Sequence, residues 1–118
     1  MLLEQFGCEA ITAPDGATAL QLLVSQSIDL LVIDYHLACG ETGEEIAREV
    51  RQRWPQVPMI MLTGDSKLPE SAIASVDEVL IKGANPRTLL DAIEKLLPAG
   101  KLKPRRKMLI PPPVKKTG

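Results

Sequence analysis

The stretch "IDLLVIDYHLACGETGEE", residues 28–45, contains an apolar run that ends in a carboxylate. Its apolar run, residues 30–33, includes β-branched residues and does not alternate with polar ones, which is typical of a strand buried on both faces. The run ends at Asp34, although a carboxylate avoids the protein interior unless it is paired. Asp34 is therefore either a strand-end acid that turns back to solvent, or a nucleophile or metal ligand at the mouth of a parallel sheet.

Strands and helices alternate along the rest of the chain. The pair Thr42 and Glu45 forms a capping-box sequence at one helix start, and Asn85 followed by Pro86 opens another helix. The apolar patterns predict strands at 8–13, 29–34, 58–63 and 78–82, and helices at 17–25, 42–54, 68–76 and 85–97, after the last turns of a helix at 1–6. Alternation with short connections predicts an α/β fold, an open doubly wound parallel sheet.

Composition limits the classes of protein to which the chain can belong. The sequence has 118 residues, enough for one domain, and its 45% apolar residues include only 3% aromatic ones, so aliphatic side chains must form the core. It contains no apolar run of membrane-spanning length and no signal peptide, and we expect a cytoplasmic protein without a membrane partner. Cys8 and Cys39 have no metal-ligand spacing and are expected to be free thiols, and a single histidine argues against a histidine-based metal site.

The charges are segregated along the sequence. Residues 101–118 carry seven basic residues and no acidic one, whereas residues 1–100 carry all fifteen acidic residues. The end of the chain also contains Pro104 and three consecutive prolines at 111–113, and it lacks a helical period. We therefore predict a domain at 1–98 and a basic, proline-rich, disordered tail at 99–118. The tail lacks interleaved aromatic residues, so a solubilising role is favoured over contacts with nucleic acid or anionic membrane, and we expect no nucleic-acid partner for the globular part.

A polar residue ends each of three predicted buried strands: Asp34, Thr63 and Lys82. In an open α/β sheet, ligands bind outside the carboxyl ends of the strands, where parallel alignment would bring these three side chains together. A carboxylate that attacks phosphorus, with a cation and a hydroxyl that neutralise and orient its oxygens, suits phosphoryl transfer. Each residue alone is also explained as a turn residue or a solvated strand end.

The chain resembles the receiver domain of two-component response regulators, of the type fused to hybrid histidine kinases, over roughly residues 1–98. The resemblance rests on "DLLVIDYHL" with Asp34, "MIMLTGD" with Thr63, "EVLIKG" with Lys82, and the loop "LACGETG" with Gly43. It implies a flavodoxin-like sheet with strand order 2-1-3-4-5, and a phosphoryl group accepted by Asp34 from the phosphohistidine of a histidine kinase or histidine phosphotransfer protein. It also implies Mg²⁺ held by Asp34 and by the backbone carbonyl of His36, with Thr63 and Lys82 bound to phosphoryl oxygens.

Departures from the family pattern change what we expect. In the family the first strand ends in an acidic pair that holds Mg²⁺, whereas this sequence begins within the helix that follows that strand. We therefore expect an N-terminally truncated sheet, Mg²⁺ bound weakly or not at all, and self-association through the edges that the missing central strand leaves exposed. Val79 stands where many receivers carry an aromatic switch residue, and Gly83 replaces the proline that normally follows the lysine.

The sequence features are compatible with three kinds of function. The leading prediction is a non-enzymatic signalling module, the receiver of a phosphorelay, impaired by the loss of the acidic pair. The alternatives are a phosphorylation-independent interaction module or a gene fragment. A haloacid-dehalogenase-like phosphatase is a remote alternative, because that family needs a second aspartate two residues after the first, where this sequence has His36.

Overall fold

Strands and helices alternate in the computed structural model of the chain, which describes residues 8–13, 15–37, 40–64, 67–83, 85–97 and 106–110. In chain order the elements are β1 (Cys8–Thr12), α1 (Gly16–Ser25), β2 (Leu30–Asp34), α2 (Gly43–Arg53), β3 (Met59–Thr63), α3 (Glu70–Ala74), β4 (Glu78–Ile81), α4 (Pro86–Leu96) and β5 (Arg106–Ile110). The four predicted strands and the four helices between and after them are confirmed. The predicted helix at 1–6, Cys39 and the proposed boundary after residue 98 lie outside the described residues.

The helix starts follow from the capping residues. The side chain of Thr42 accepts a hydrogen bond from the Glu45 backbone N–H, and α2 begins at Gly43, directly after Thr42. Asn85 caps α4 in the same way, with Pro86 in the first turn. A capping side chain satisfies a backbone N–H that has no partner within the helix, which fixes where the helix begins.

The five strands form one parallel sheet with the order β1-β5-β2-β3-β4. This confirms the predicted doubly wound sheet. In space it reproduces the order that the resemblance implies, with β5 in the central position that the family gives to its first strand.

The prediction of disorder throughout residues 99–118 is wrong for Arg106–Ile110. These residues form β5, which pairs with β1 from Cys8↔Arg106 to Thr12↔Ile110 and with β2 at Leu30↔Met108 and Leu31↔Leu109. Met108 and Leu109 are 0% and 1% exposed. β5 therefore covers the edges of β1 and β2 that a missing central strand would leave exposed. These two edges are not available for self-association.

The position of β5 follows from the faces that the helices cover. Buried residues of α1, α2 and α3 belong to one core cluster, and buried residues of α4 belong to a second cluster on the other face. From β1 to β4 each crossover moves along the sheet in one direction over the first face. The crossover from β4 to β5 moves in the opposite direction over the second face. Reversing both the direction and the face keeps the same hand, so β5 obeys the handedness rule for parallel crossovers.

The central strand joins the two halves of the core. Leu109 packs in the cluster with Leu31 and Ile33, whereas Met108 packs in the cluster with Leu30 and Ile60. Successive residues of a strand point to opposite faces, so a five-residue segment with two adjacent apolar residues can complete both clusters.

A polar contact fixes the start of β5. The Lys107 backbone N–H donates to Asp29 Oδ2 at 2.8 Å, and the Asp29 backbone N–H donates to the Lys107 carbonyl at 2.8 Å. Lys107 Nζ also donates to Gln26 Oε1 at 3.3 Å. These bonds set the register of β5 against the loop that precedes β2. Among the residues described, no helix has the length and apolar character needed to cross a membrane.

Candidate functional site

The three polar strand-end residues lie at one edge of the sheet. Asp34 ends β2, Thr63 ends β3, and Lys82 directly follows β4. The parallel registers Asp34↔Leu62 and Thr63↔Ile81 place these strand ends side by side. Lys82 Nζ lies 3.2 Å from Asp34 Oδ1, so two side chains that are 48 positions apart in sequence form an ion pair, as the parallel alignment predicted.

The oxygen of Asp34 that pairs with Lys82 accepts no hydrogen bond from the described residues. The side chain of Asp34 is 16% exposed and that of Lys82 is 38% exposed. Within the described part of the chain, the buried Oδ1 atom of Asp34 accepts no hydrogen bond, so the 3.2 Å contact is an attraction between charges without hydrogen-bond geometry. Buried oxygens without hydrogen bonds are uncommon and mark positions that can take a further ligand or react.

Thr63 lies closest to the interior among the three. It is 1% exposed, and its backbone carbonyl accepts a hydrogen bond from the Lys82 backbone N–H at 2.7 Å. This bond extends the pairing of β3 and β4 by one residue beyond the strands. The backbone of Lys82 is therefore held at the edge of the sheet where β2 ends at Asp34.

The loop after β2 folds back onto the strand end. The Tyr35 backbone N–H donates to the Leu62 carbonyl at 2.8 Å, and the Gly43 backbone N–H donates to the Tyr35 carbonyl at 2.6 Å. His36 forms an isolated antiparallel bridge with Thr42, is exposed, and contacts the Tyr35 ring edge-on with the ring centroids 4.8 Å apart. The loop thus brings the start of α2 against the backbone that follows Asp34.

The residues at this edge offer few ligands for magnesium. Mg²⁺ favours octahedral oxygen coordination, with carboxylates as its usual protein ligands. Asp34 supplies one carboxylate, already paired with Lys82, and the family resemblance adds the His36 carbonyl. In the ranges that the structure covers, no group of three or more His, Cys, Asp or Glu residues could hold a metal ion. These residues do not fit a strong Mg²⁺ site.

Two residues of β5 that reach this edge, Leu109 and Ile110, were not predicted from the sequence. Both line a small cavity beside Asp34. A signal for them was present in the sequence. The predicted sheet lacked a central strand, and the run Met108–Ile110 is an apolar segment within the basic tail.

Comparison with known proteins gives a family and a fold. The sequence profile described as the response regulator receiver domain matches residues 1–94. The chain is 36% identical over 89 residues to the chemotaxis protein CheY of Pseudomonas aeruginosa, a match that covers 71% of each protein. It is 31% identical over 101 residues to the hydrogenase transcriptional regulatory protein HoxA of Cupriavidus necator, covering 81% of this chain and 20% of HoxA. The chain thus spans about a fifth of HoxA.

A solved structure agrees with this comparison. The response regulator protein TrrA of Thermotoga maritima, crystallised in complex with Mg(2+)-BeF, has a TM-score of 0.73 to this chain. The two are 30% identical, and the match covers 80% of this chain and 83% of TrrA. The family match ends at residue 94, before β5 begins.

Proposed function

Because this chain belongs to the response regulator receiver family, we propose that it is the receiver module of a two-component phosphorelay in which Asp34 accepts a phosphoryl group from a phosphohistidine. The donor is a histidine kinase or a histidine phosphotransfer protein, and the chain acts in the cytoplasm. The observation that carries this proposal is the 3.2 Å approach of Lys82 Nζ to Asp34 Oδ1 at the carboxyl edge of the sheet. It joins a nucleophilic carboxylate to the cation that phosphoryl transfer requires.

The proposed reaction is a displacement at phosphorus. A carboxylate oxygen of Asp34 forms a bond to phosphorus as the phosphorus–nitrogen bond of the phosphohistidine breaks. The electron pair of that bond stays on the imidazole nitrogen, which takes a proton from solvent, and Asp34 becomes an acyl phosphate. An anionic oxygen that approaches a phosphoryl group is repelled, and the ammonium of Lys82 offsets this repulsion.

The other two strand ends have supporting roles in this proposal. Lys82 pairs with one oxygen of the bound phosphoryl group, and the hydroxyl of Thr63 binds another in the active state. The hydrogen bond from the Lys82 backbone N–H to the Thr63 carbonyl supports these roles, because it keeps both residues at the edge of the sheet where β2 ends at Asp34. Val79 in β4 is half-buried and stands at the position where many receivers carry an aromatic switch residue. In this proposal an aliphatic side chain therefore takes the place of the aromatic ring that responds to phosphorylation in those receivers.

Magnesium has a small part in this proposal. The neighbour TrrA was crystallised with Mg(2+)-BeF, but the Asp34 carboxylate of this chain is paired with Lys82, and the described residues contain no group of three or more potential metal ligands. We therefore expect slow phosphorylation whose rate depends little on Mg²⁺. Lys82 supplies the positive charge at the acceptor.

Labelling of the full chain tests this function. The wild type, Asp34→Asn and the control Asp91→Asn, which changes an exposed carboxylate of α4, are incubated with radiolabelled acetyl phosphate or a phosphorylated histidine kinase, with and without Mg²⁺. We expect label on the wild type and on Asp91→Asn, released by hydroxylamine as an acyl phosphate is, and none on Asp34→Asn. An unlabelled wild type in every condition contradicts the proposal and supports the phosphorylation-independent interaction module.

A further inference from the structure

A cavity of about 20 Å³ lies beside the strand end that carries Asp34. Its lining includes Ile33 and Asp34 from β2, Leu37 from the following loop, and Leu109 and Ile110 from β5. The volume corresponds to the space needed by one water molecule. Packing on this side of Asp34 therefore comes in part from the C-terminal strand.

We propose that β5 is a positioning element of the Asp34 site and that it acts through Leu109. The inference rests on the proposed function, and it extends the functional unit to residue 110, beyond the family match at residues 1–94. Leu109 touches no phosphoryl group in this proposal. It sets where the end of β2, and with it the Asp34 carboxylate, lies relative to Lys82.

The register and burial of Leu109 support this role. Leu109 pairs with Leu31, is 1% exposed, and packs in the core cluster that contains Ile33. Protein interiors contain few voids, so a buried side chain next to a small cavity limits how far its neighbours can relax. Shortening Leu109 would enlarge the cavity beside Asp34 and let the end of β2 move into it. Displacement of a reacting group by about 1 Å can cost roughly 100-fold in rate.

The register of β5 is fixed far from the site. Asp29 accepts the Lys107 N–H at 2.8 Å, so the strand is held at its start while Leu109 and Ile110 lie near its end. A slip of one residue would exchange the faces of Met108 and Leu109. The polar contact at Asp29 therefore determines which side chain faces the cavity.

Met108 provides a matched control. It lies next to Leu109 in the same strand and is also fully buried, at 0% exposed. Its side chain packs on the opposite face, in the cluster with Leu30 and Ile60, and it does not line the cavity beside Asp34. Truncating either residue removes buried apolar volume from β5, but only Leu109 borders the site.

The test compares Leu109→Ala with Met108→Ala in the full chain. The first measurement is the initial rate of phosphoryl labelling per folded molecule, with the folded fraction taken from circular dichroism. The second is the ¹³C chemical shift of the Asp34 carboxyl group, assigned with Asp34→Asn. We expect Leu109→Ala to lower the rate roughly tenfold or more and to shift the Asp34 carboxyl resonance. We expect Met108→Ala to change the rate less than about twofold and to leave the resonance in place.

Further variants keep the test decisive. If Leu109→Ala does not fold, Leu109→Val replaces it, and Leu109→Met is expected to restore most of the rate because it conserves volume. The proposal is overturned if the variants at 108 and 109 behave alike per folded molecule, or if the Asp34 resonance does not respond to residue 109. The carboxyl shift is read without phosphorylation. An unlabelled wild type whose Asp34 resonance still depends on Leu109 therefore contradicts the proposed function and supports the positioning role.

Discussion

Gly43, the first residue of α2, lies directly against the backbone of Asp34. A Cβ atom on Gly43 would be 2.3 Å from the Asp34 carbonyl oxygen and 3.1 Å from its carbonyl carbon. The approach is held by the hydrogen bond from the Gly43 N–H to the Tyr35 carbonyl. Because backbone atoms form both sides of this contact, no side-chain rotation can make room for a methyl group.

Replacing Gly43 with alanine should therefore both destabilise the fold and disturb the site. We expect Gly43→Ala to lower the free energy of unfolding by about 1–3 kcal/mol, as overpacking does elsewhere, and to reduce labelling of Asp34. Urea denaturation measures the first effect. Gly64→Ala is the control, since a Cβ at Gly64 would meet nothing within 4 Å, and its effect should stay within about 0.5 kcal/mol. Equal stability of the two variants would contradict the close approach at Gly43.

Lys82 should matter much more for chemistry than for stability. Its side chain is 38% exposed, so its ion pair with Asp34 contributes about 1 kcal/mol or less. In phosphoryl transfer it is the cation next to the acceptor, and removal of such a group typically costs roughly 100-fold in rate. We expect Lys82→Met to lower the labelling rate by that order while the urea midpoint changes little.

Lys95→Met is the matched control for this prediction. Lys95 Nζ also lies 3.2 Å from a carboxylate, that of Glu78, but on α4 and away from Asp34. Its loss should leave the labelling rate unchanged. A similar loss of rate in both lysine variants would argue for a general effect of charge and against a specific role of Lys82.

Asp29 should hold the central strand in place. Asp29→Ala removes the acceptor for the Lys107 N–H, a partly buried bond to a charged group, and we expect a loss of about 1–2 kcal/mol. Amide hydrogen exchange should show the largest acceleration in Arg106–Ile110. Asp91→Ala, which breaks an exposed ion pair with Arg87, serves as the control and should leave exchange in β5 unchanged. Fast exchange of the β5 amides already in the wild type would contradict the central position of this strand.

Stability should depend on pH through Asp15, which caps α1. Its carboxylate accepts a hydrogen bond from the Thr18 backbone N–H, and this bond holds the pKa of Asp15 below its usual value of 3.8. A lowered pKa in the folded state means that the stabilisation is present above 3.8 and is lost as pH falls through the folded-state pKa. The difference in urea midpoint between the wild type and Asp15→Ala should therefore shrink below pH 3.8. A difference that grows on acidification would contradict this assignment.

The sequence allowed prediction of those parts of the fold that depend on local signals. The buried strands follow from continuous apolar runs, and α2 and α4 begin directly after the capping residues Thr42 and Asn85. The meeting of Asp34 and Lys82 was also predictable, because parallel strands bring their carboxyl ends to one edge.

The strand β5 could not be predicted in the same way. Its apolar residues, Met108–Ile110, are flanked by basic residues and prolines, a composition that favours disorder when it is read locally. It is a strand because two distant partners, β1 and β2, need a neighbour in the centre of the sheet. The contact between Gly43 and Asp34 depends on the path of a loop, which sequence spacing does not determine.

The position of the phosphoryl group on the chain is the most direct test of Asp34 as the phosphoryl acceptor. The 118-residue chain is incubated with a phosphohistidine donor, and the modified site is mapped by fragmentation in a mass spectrometer. We expect one added phosphoryl group on the carboxylate of Asp34, in a smaller amount in the Lys82→Met variant. A phosphoryl group found on His36 or on another residue, with Asp34 unmodified, would contradict this expectation.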